Sequence, residues 1–445
     1  MSVGAGFVDW KGLLRPIAHE LGLDIDQEHD LIMLAQYHFN EHGGNRNTLN
    51  KRLIHEFCQG RSVTENHRIL ARLPIRIFWT SNYDRLIEKS FDEVGKVADV
   101  KYTTDQLPNT KHKRDIIVYK MHGDVEHANN AILTKDDYEK YYIGHAPFIT
   151  ALSGDLVSKT FLFIGFSFTD PNLDYILSLI RINFSSGQRE HYCIFKKRVK
   201  APEETEEKFR YAKIKQELAI NDLKRFNIQT ILVDDYSEIT MILQTIESRF
   251  RQRTVLISGS AHEYGTLASN QAEIFIQHLS QALIRNECKI VSGFGVGVGS
   301  HVITGALQQI YATPGEKLHD QLILRPFPQG QEAQRQWETY RQDMIANAGI
   351  AIFLFGNRCR DGHVELASGV RREFEVAKGK GLKLIPIGAT GYMAEELWKE
   401  VMTDFDIYYP NASDELKKAF ASLGNDCIPL AQHIETVIKI LAMFQ

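Results

Sequence analysis

The sequence predicts an α/β protein made of two tandem doubly wound Rossmann-like domains with helical additions. Three observations carry that prediction. Short apolar runs end in Asn, His, Gly, Ser or Asp, the pattern of buried parallel strands whose carboxyl ends form a ligand crevice. Segments with apolar residues three and four apart separate these runs and supply the crossovers that parallel strands need. The series also runs once to about Asp235 and begins again near Thr254. This divides the chain into a domain over 1–253 and a domain over 254–445.

Composition is consistent with that reading. At 445 residues the chain is too long for one ordinary domain. With 43% apolar and 24% charged residues it has the balance of a globular protein. A net charge of −4 gives no electrostatic reason to bind nucleic acid or an anionic membrane surface. No apolar run reaches the length of a membrane span, and the N-terminus lacks the basic-then-apolar pattern of a secretion signal. Cys58, Cys193, Cys288, Cys359 and Cys427 are scattered and never spaced C-x-x-C. They fit a reducing cytoplasm and exclude a zinc ribbon, so no metal is expected.

The elements run in chain order. KGLLRPIAHELG, HDLIMLAQYHFNEH and LNKRLIHEFCQG carry helical periodicity and fill residues 1–72 with helices. RIFWTSN is a strand with a polar tip, and YDRLIEKSFDEVG is the helix after it. DIIVYKMHGD and KTFLFIGFSFTDPN are two more strands with polar tips, and HYCIFKK and IQTILVDD end the first series. Between about 198 and 226 the chain is dense in charges of both signs, as a solvated helical face is. TVLISGSA opens the second series, and NQAEIFIQHLSQALIR is its first helix. CKIVSGFGVGVGS, QLILRPFP, GIAIFLFG and LKLIPIGAT are its further strands, and from about Glu395 the chain is helical.

Polar residues gather at three strand tips of the first domain. TSNYD places Asn82 where a strand yields to a helix, and YKMHGD places His122 at the next tip. FIGFSFTDPNL places Gly165, Ser167, Asp170 and Asn172 at the third. A lone histidine is often only structural, but three such tips together suit a crevice at a topological switch point. Gly165 lets backbone approach a phosphate, and Ser167 can donate to an oxygen. Asn82 can orient water or a hydroxyl but cannot act as a base. His122 can take a proton near neutral pH. Asp84 reads as a first-turn acid that complements a helix N-terminus.

These residues resemble the sirtuin superfamily, which cleaves the nicotinamide–ribose bond of NAD. Asn82-Tyr83-Asp84 is similar to its Asn-x-Asp, His122-Gly123 to its catalytic His-Gly, and Gly165-Phe166-Ser167 to its Gly-x-Ser. The resemblance implies Asn82 and His122 as catalytic residues. It implies Ser2, Gly6, Asp9, Gly165, Ser167 and Asp170 as NAD-binding residues. It also sets Ser2, Gly6, Asp9, Trp10 and Lys11 on the later part of the family's nucleotide loop. The visible Gly4-Ala5-Gly6 is then an imitation of that loop. The expectation is that the true Gly-Ala-Gly and its strand stand before Met1, and that a chain starting at Met1 is a weak NADase. The family's four-cysteine zinc module is absent. Water is therefore the expected acceptor, with ADP-ribose and nicotinamide as products and NAD as substrate rather than resident cofactor.

The second domain carries VSGFGVGVGSHVITGA, a glycine loop between strand and helix that can present N–H groups to an anion, or can be a mere tight turn. Ser258 and Ser260 end a neighbouring strand, and Gly356 and Arg358 come just after another. Arg341 and Glu373 lie on the flanking helices. This half resembles the SLOG superfamily of nucleotide-binding domains. It lacks the Pro-Gly-Gly loop of that superfamily's hydrolases, which implies binding without hydrolysis. A sirtuin-like domain followed by a SLOG domain is similar to the effector family of the Thoeris anti-phage system. That resemblance implies a cytoplasmic homo-oligomer, commonly a tetramer. It also implies activation by a cyclic ADP-ribose isomer that a TIR-domain partner makes. Ser260, Gly293, Gly295, Arg341, Arg358 and Glu373 are the expected signal-binding residues. Two alternatives stay open: a nucleotide sensor with an inert sirtuin-like scaffold, and a zinc-free deacylase.

Overall fold

The computed structural model describes residues 1–166, 168, 170–183, 189–313, 321–328 and 330–444. The chain divides into two compact units, Met1–Gln244 and Thr245–Gln445. No helix among the described residues is long and apolar enough to cross a membrane.

In the first unit, helices Trp10–Glu20, Leu31–Glu41, Asn47–Phe57 and Glu65–Arg72 precede the first strand. The first two begin where Asp9 and Asp30 accept a backbone N–H from Gly12 and Met33, which satisfies donors that a helix start leaves open. Their apolar faces bury Leu13, Leu14, Ile17, Leu34, Ala35, Leu49 and Leu53 in one cluster, which also holds Tyr83 and Val125. A fully buried leucine contributes about 1.5–3 kcal/mol. The helices are therefore anchored beside the loops that carry the candidate residues.

Strands β1 (Ile77–Thr80), β2 (Ala98–Lys101) and β3 (Ile116–Lys120) form a parallel sheet in the order β1-β3-β2. Strands β4 (Leu162–Ile164), β5 (His191–Lys196) and β6 (Ile228–Val233) form a second parallel sheet in sequence order. Register in the first sheet brings two candidate residues together. Thr80 pairs with Lys120 at the ends of β1 and β3. Asn82 and His122 each lie two residues past that pair, so the two loops that carry them leave the sheet at the same level. The charged helix Glu206–Leu223 buries only Leu223, as a solvated face should.

The second unit has one five-stranded parallel sheet. Its strands are β7 (Thr254–Ser260), β8 (Lys289–Ser292), β9 (Leu322–Leu324), β10 (Ile350–Phe355) and, after a hairpin, β13 (Lys383–Pro386). Their order is β13-β10-β7-β8-β9. Strand β10, paired on both sides, is buried at every position, which explains its unbroken apolar run. The hairpin of β11 (Asn357–Arg360) and β12 (His363–Leu366) is an addition that the strand pattern of the sequence does not predict. Its turn residues Asp361 and Gly362 both have positive φ, as a tight two-residue hairpin requires.

Candidate active site and ligand site

The tips of β1, β3 and β4 open into a cavity of about 940 Å³, lined among others by Ser2, Asp9, Asn82, His122, Gly165 and Asp170. Ligand pockets commonly span about 300–1,000 Å³, so a dinucleotide-sized guest is within range. Ser167 lies outside the described residues. Gly6 does not line the cavity: with φ +92° it closes the short 3-10 turn Val3–Ala5, and its Cα faces Arg61. Gly165 has φ +67°, a conformation that side chains other than glycine's rarely tolerate.

Asn82 is held by a chain of hydrogen bonds. Its Nδ2 donates to Ser2 Oγ at 2.8 Å, and Ser2 Oγ donates to Asp84 Oδ2 at 2.6 Å. Asp84 is buried, and its other oxygen accepts the Leu86 N–H at 2.9 Å. Asp84 thus stands before the helix Leu86–Glu93 rather than in its first turn, yet it caps the first helical N–H and also holds Ser2. With Nδ2 committed, Asn82 Oδ1 is the atom left to accept from a ribose hydroxyl or water.

His122 is buried, with Nε2 2.9 Å from Asp170 Oδ2. The contact is ionic in reach but is not aligned as a hydrogen bond. The Tyr138 ring meets the imidazole edge to face at 5.5 Å between centroids. Asp170 Oδ1 meanwhile accepts the N–H groups of Asn172 and Leu173 at the start of helix Pro171–Asn183. Burial raises the Asp170 pKa, but His122 and those two N–H groups outweigh it and hold the carboxyl below its ordinary value. The stability this carboxylate contributes is therefore full above about pH 4 and is lost as pH falls through the lowered pKa. Asp170→Asn should flatten the acid limb of a melting-temperature profile. An acid limb identical to the parent's would show that Asp170 is not paired in this way.

In the second unit, Glu373 is half-buried and accepts from Ser258 Oγ at 2.6 Å. Arg341 Nε lies 3.8 Å from Glu373 Oε1, and its guanidinium sits 5.3 Å from the Phe327 ring centre. Burial pushes the Glu373 carboxyl up, with Ser258 and Arg341 opposing. Glu338 bridges Arg341 at 3.2 Å and Arg372 at 2.7 Å, and its carboxyl is pushed down to about 2, chiefly by Arg372. The structure thus brings Arg341 and Glu373 together, as expected. The other four expected signal-binding residues have protein partners of their own. Arg358 pairs with Glu365 on the hairpin at 2.7 Å. A Cβ at Gly293 would meet the Phe327 ring at 2.9 Å, and one at Gly295 would meet the Gly259 carbonyl at 2.0 Å. Close packing requires both glycines, Gly293 against Phe327 and Gly295 against the tip of β7. Ser260 donates to the Asn357 carbonyl at 3.0 Å.

Comparison with known proteins decides the family. A SIR2-like domain family matches residues 76–218, and the Sir2- and TIR-associating SLOG family matches 238–444. The chain is 53% identical to the NAD(+) hydrolase ThsA of Bacillus cereus (strain MSX-D12), over 99% of this chain and 93% of that one. It is 49% identical to the NAD(+) hydrolase ThsA of Cytobacillus dafuensis and 48% identical to that of Acinetobacter baumannii (strain 532279). Those two matches cover 99% of this chain and 91% and 94% of the relatives. The chain belongs to the ThsA family of NAD(+) hydrolases.

Within this ThsA-family chain, sequence pattern did not single out Glu338 or Phe327. Spacing was the available signal for Glu338, which stands one helical turn before Arg341. Glu20, His38 and His42 bring three metal-type donors within 4.8 Å of one another. Glu20 there already pairs with His38 at 3.0 Å.

Proposed function

We propose that the cavity of the first unit hydrolyses NAD to ADP-ribose and nicotinamide as a step in anti-phage defence. Hydrolysis is switched on by a cyclic ADP-ribose isomer bound at the Arg341–Glu373 cluster of the second unit. The observation that supports the catalytic part is that Asn82 and His122, each two residues past the Thr80–Lys120 pair, line the same cavity. Breaking the nicotinamide–ribose bond develops an oxocarbenium ion, which calls for positioned water and fixed dipoles rather than a strong nucleophile. Asn82 Oδ1 orients the water or a ribose hydroxyl. His122 receives the proton released as water adds, beside the Asp170 carboxylate.

The ligand is a compact dianion. Arg341 supplies a charge-assisted donor, and Glu373 accepts from a ribose hydroxyl or an adenine amine. The matched family's association with Sir2 and TIR proteins supports a TIR-domain source for it. A cytoplasmic homotetramer completes the reading. Nicotinamide and ADP-ribose release, measured by chromatography with and without the cyclic nucleotide, tests it.

Glu338 gives a further expectation. It pairs with Arg341 and Arg372, so an incoming phosphate competes with it. Glu338→Gln should tighten cyclic nucleotide binding several-fold in calorimetry. Weaker binding would mean that Glu338 orients the arginines instead.

A further inference from the structure

Lys120 is the last residue of β3, and none of its surface reaches solvent. Its Nζ lies 3.1 Å from the Tyr83 carbonyl, 2.6 Å from the Asp84 carbonyl, 3.1 Å from Glu88 Oε1 and 2.5 Å from Asp124 Oδ2. A buried ammonium is costly unless it is fully paired, and an apolar side chain would fill the same slot without that cost. Lys120 does not line the cavity, so it touches no substrate. What distinguishes it is the set of segments its partners come from. Tyr83 and Asp84 stand directly after Asn82, and Asp124 lies two residues past His122. Glu88 sits in the first turn of the helix Leu86–Glu93. One ammonium therefore ties both catalytic loops together beneath the cavity. Backbone bonds Met121 N–H to Thr80 O and Val125 N–H to Tyr83 O run alongside. Apolar packing would tolerate sliding between the loops, whereas directed charge-assisted bonds fix their separation.

We propose that Lys120 is a positioning residue of the cleavage site, setting the distance between Asn82 and His122. The inference rests on the proposed NAD hydrolysis at this cavity. A misplacement of about 1 Å can cost on the order of 100-fold in rate, so the effect should appear in kcat rather than in binding.

The test uses the full chain with NAD and the cyclic nucleotide. Lys120→Met, near in shape but uncharged, is expected to lower kcat about 30-fold or more while KM for NAD stays within about threefold. Two near-isosteric variants separate positioning from simple destabilisation. Asp124→Asn loosens the tie to the His122 loop and should lower kcat about 5–10-fold. Glu88→Gln alters a partner on neither catalytic loop and should leave kcat within about twofold at a comparable loss of melting temperature. Amide exchange gives a readout independent of turnover: it should rise over residues 81–85 and 121–126 in Lys120→Met and Asp124→Asn, but not in Glu88→Gln. If Lys120→Met does not fold, the contrast between the other two decides. Normal kcat in folded Lys120→Met, or equal kcat and exchange effects in Asp124→Asn and Glu88→Gln, would overturn the proposal. A parent chain that releases no nicotinamide contradicts the proposed function instead, and the exchange contrast still decides whether Lys120 sets the loops.

Discussion

Asn82→Ala and His122→Ala are each expected to lower kcat for NAD cleavage on the order of 100-fold or more. The two losses have different origins. Asn82→Ala removes Oδ1, the acceptor left toward the cavity once Nδ2 is committed to Ser2, so attacking water or a ribose hydroxyl loses its orientation. His122→Ala removes the proton acceptor and also takes the 2.9 Å partner from the half-buried Asp170 carboxylate. Asp170 keeps the N–H groups of Asn172 and Leu173, so the cost stays below the about 3–5 kcal/mol of an uncompensated buried charge. His122→Ala should therefore melt earlier, and its kcat must be measured well below that melting point. Asn82→Ala disturbs only a half-exposed hydrogen bond and should keep nearly the parent's stability. Nicotinamide release under saturating NAD checks both variants. Parent-like rates in either would remove that residue from the chemistry.

Arg341→Ala is expected to weaken binding of the cyclic ADP-ribose isomer by about 2–4 kcal/mol, or roughly 30- to 700-fold, because a buried phosphate loses a charge-assisted partner. Arg341 is 8% exposed and is held between Glu338, Glu373 and the Phe327 ring, so its guanidinium is already oriented before a ligand arrives. Preorganisation of that kind reduces the ordering cost of binding. Glu373→Ala should weaken binding less, since a hydroxyl or amine contact gives orientation rather than charge neutralisation. For the ligand to act as a switch, its affinities for resting and active states must differ by roughly 5.5 kcal/mol to move a population from about 1% to 99% active. A variant that lost half of that differential would be only about half active even at saturating ligand. Calorimetry on the full chain measures the affinity. Parent-like binding in both variants would place the ligand elsewhere.

Much of this was legible in the sequence because it depends on local pattern. Unbroken apolar runs ending in polar tips gave the parallel strands of both units, and three-four periodicity gave the N-terminal helices. Asn82 and His122 could be singled out because each stands just past a strand. That they line one cavity depends on the pairing of Thr80 with Lys120, which no local signal encodes. Long-range side-chain partners were equally hidden. The Asp84–Ser2–Asn82 chain links residues 80 or more apart in sequence, and Asp170 reaches His122 from another strand's end. The four-partner site of Lys120 looked like one more strand residue. Glycines 293 and 295 resemble a phosphate loop, whereas the contacts a Cβ would make show their need for tight packing against Phe327 and Gly259. The β11–β12 hairpin had a readable Asp361-Gly362 signal, but its flanking residues are mostly polar and exposed and carry little apolar alternation.

The most direct test of ligand-gated NAD cleavage is nicotinamide release by the unmodified chain, with the cyclic ADP-ribose isomer added or withheld. The expected result is equimolar nicotinamide and ADP-ribose with the ligand and little of either without it. No release while calorimetry shows the ligand bound, or equal release in its absence, would contradict it.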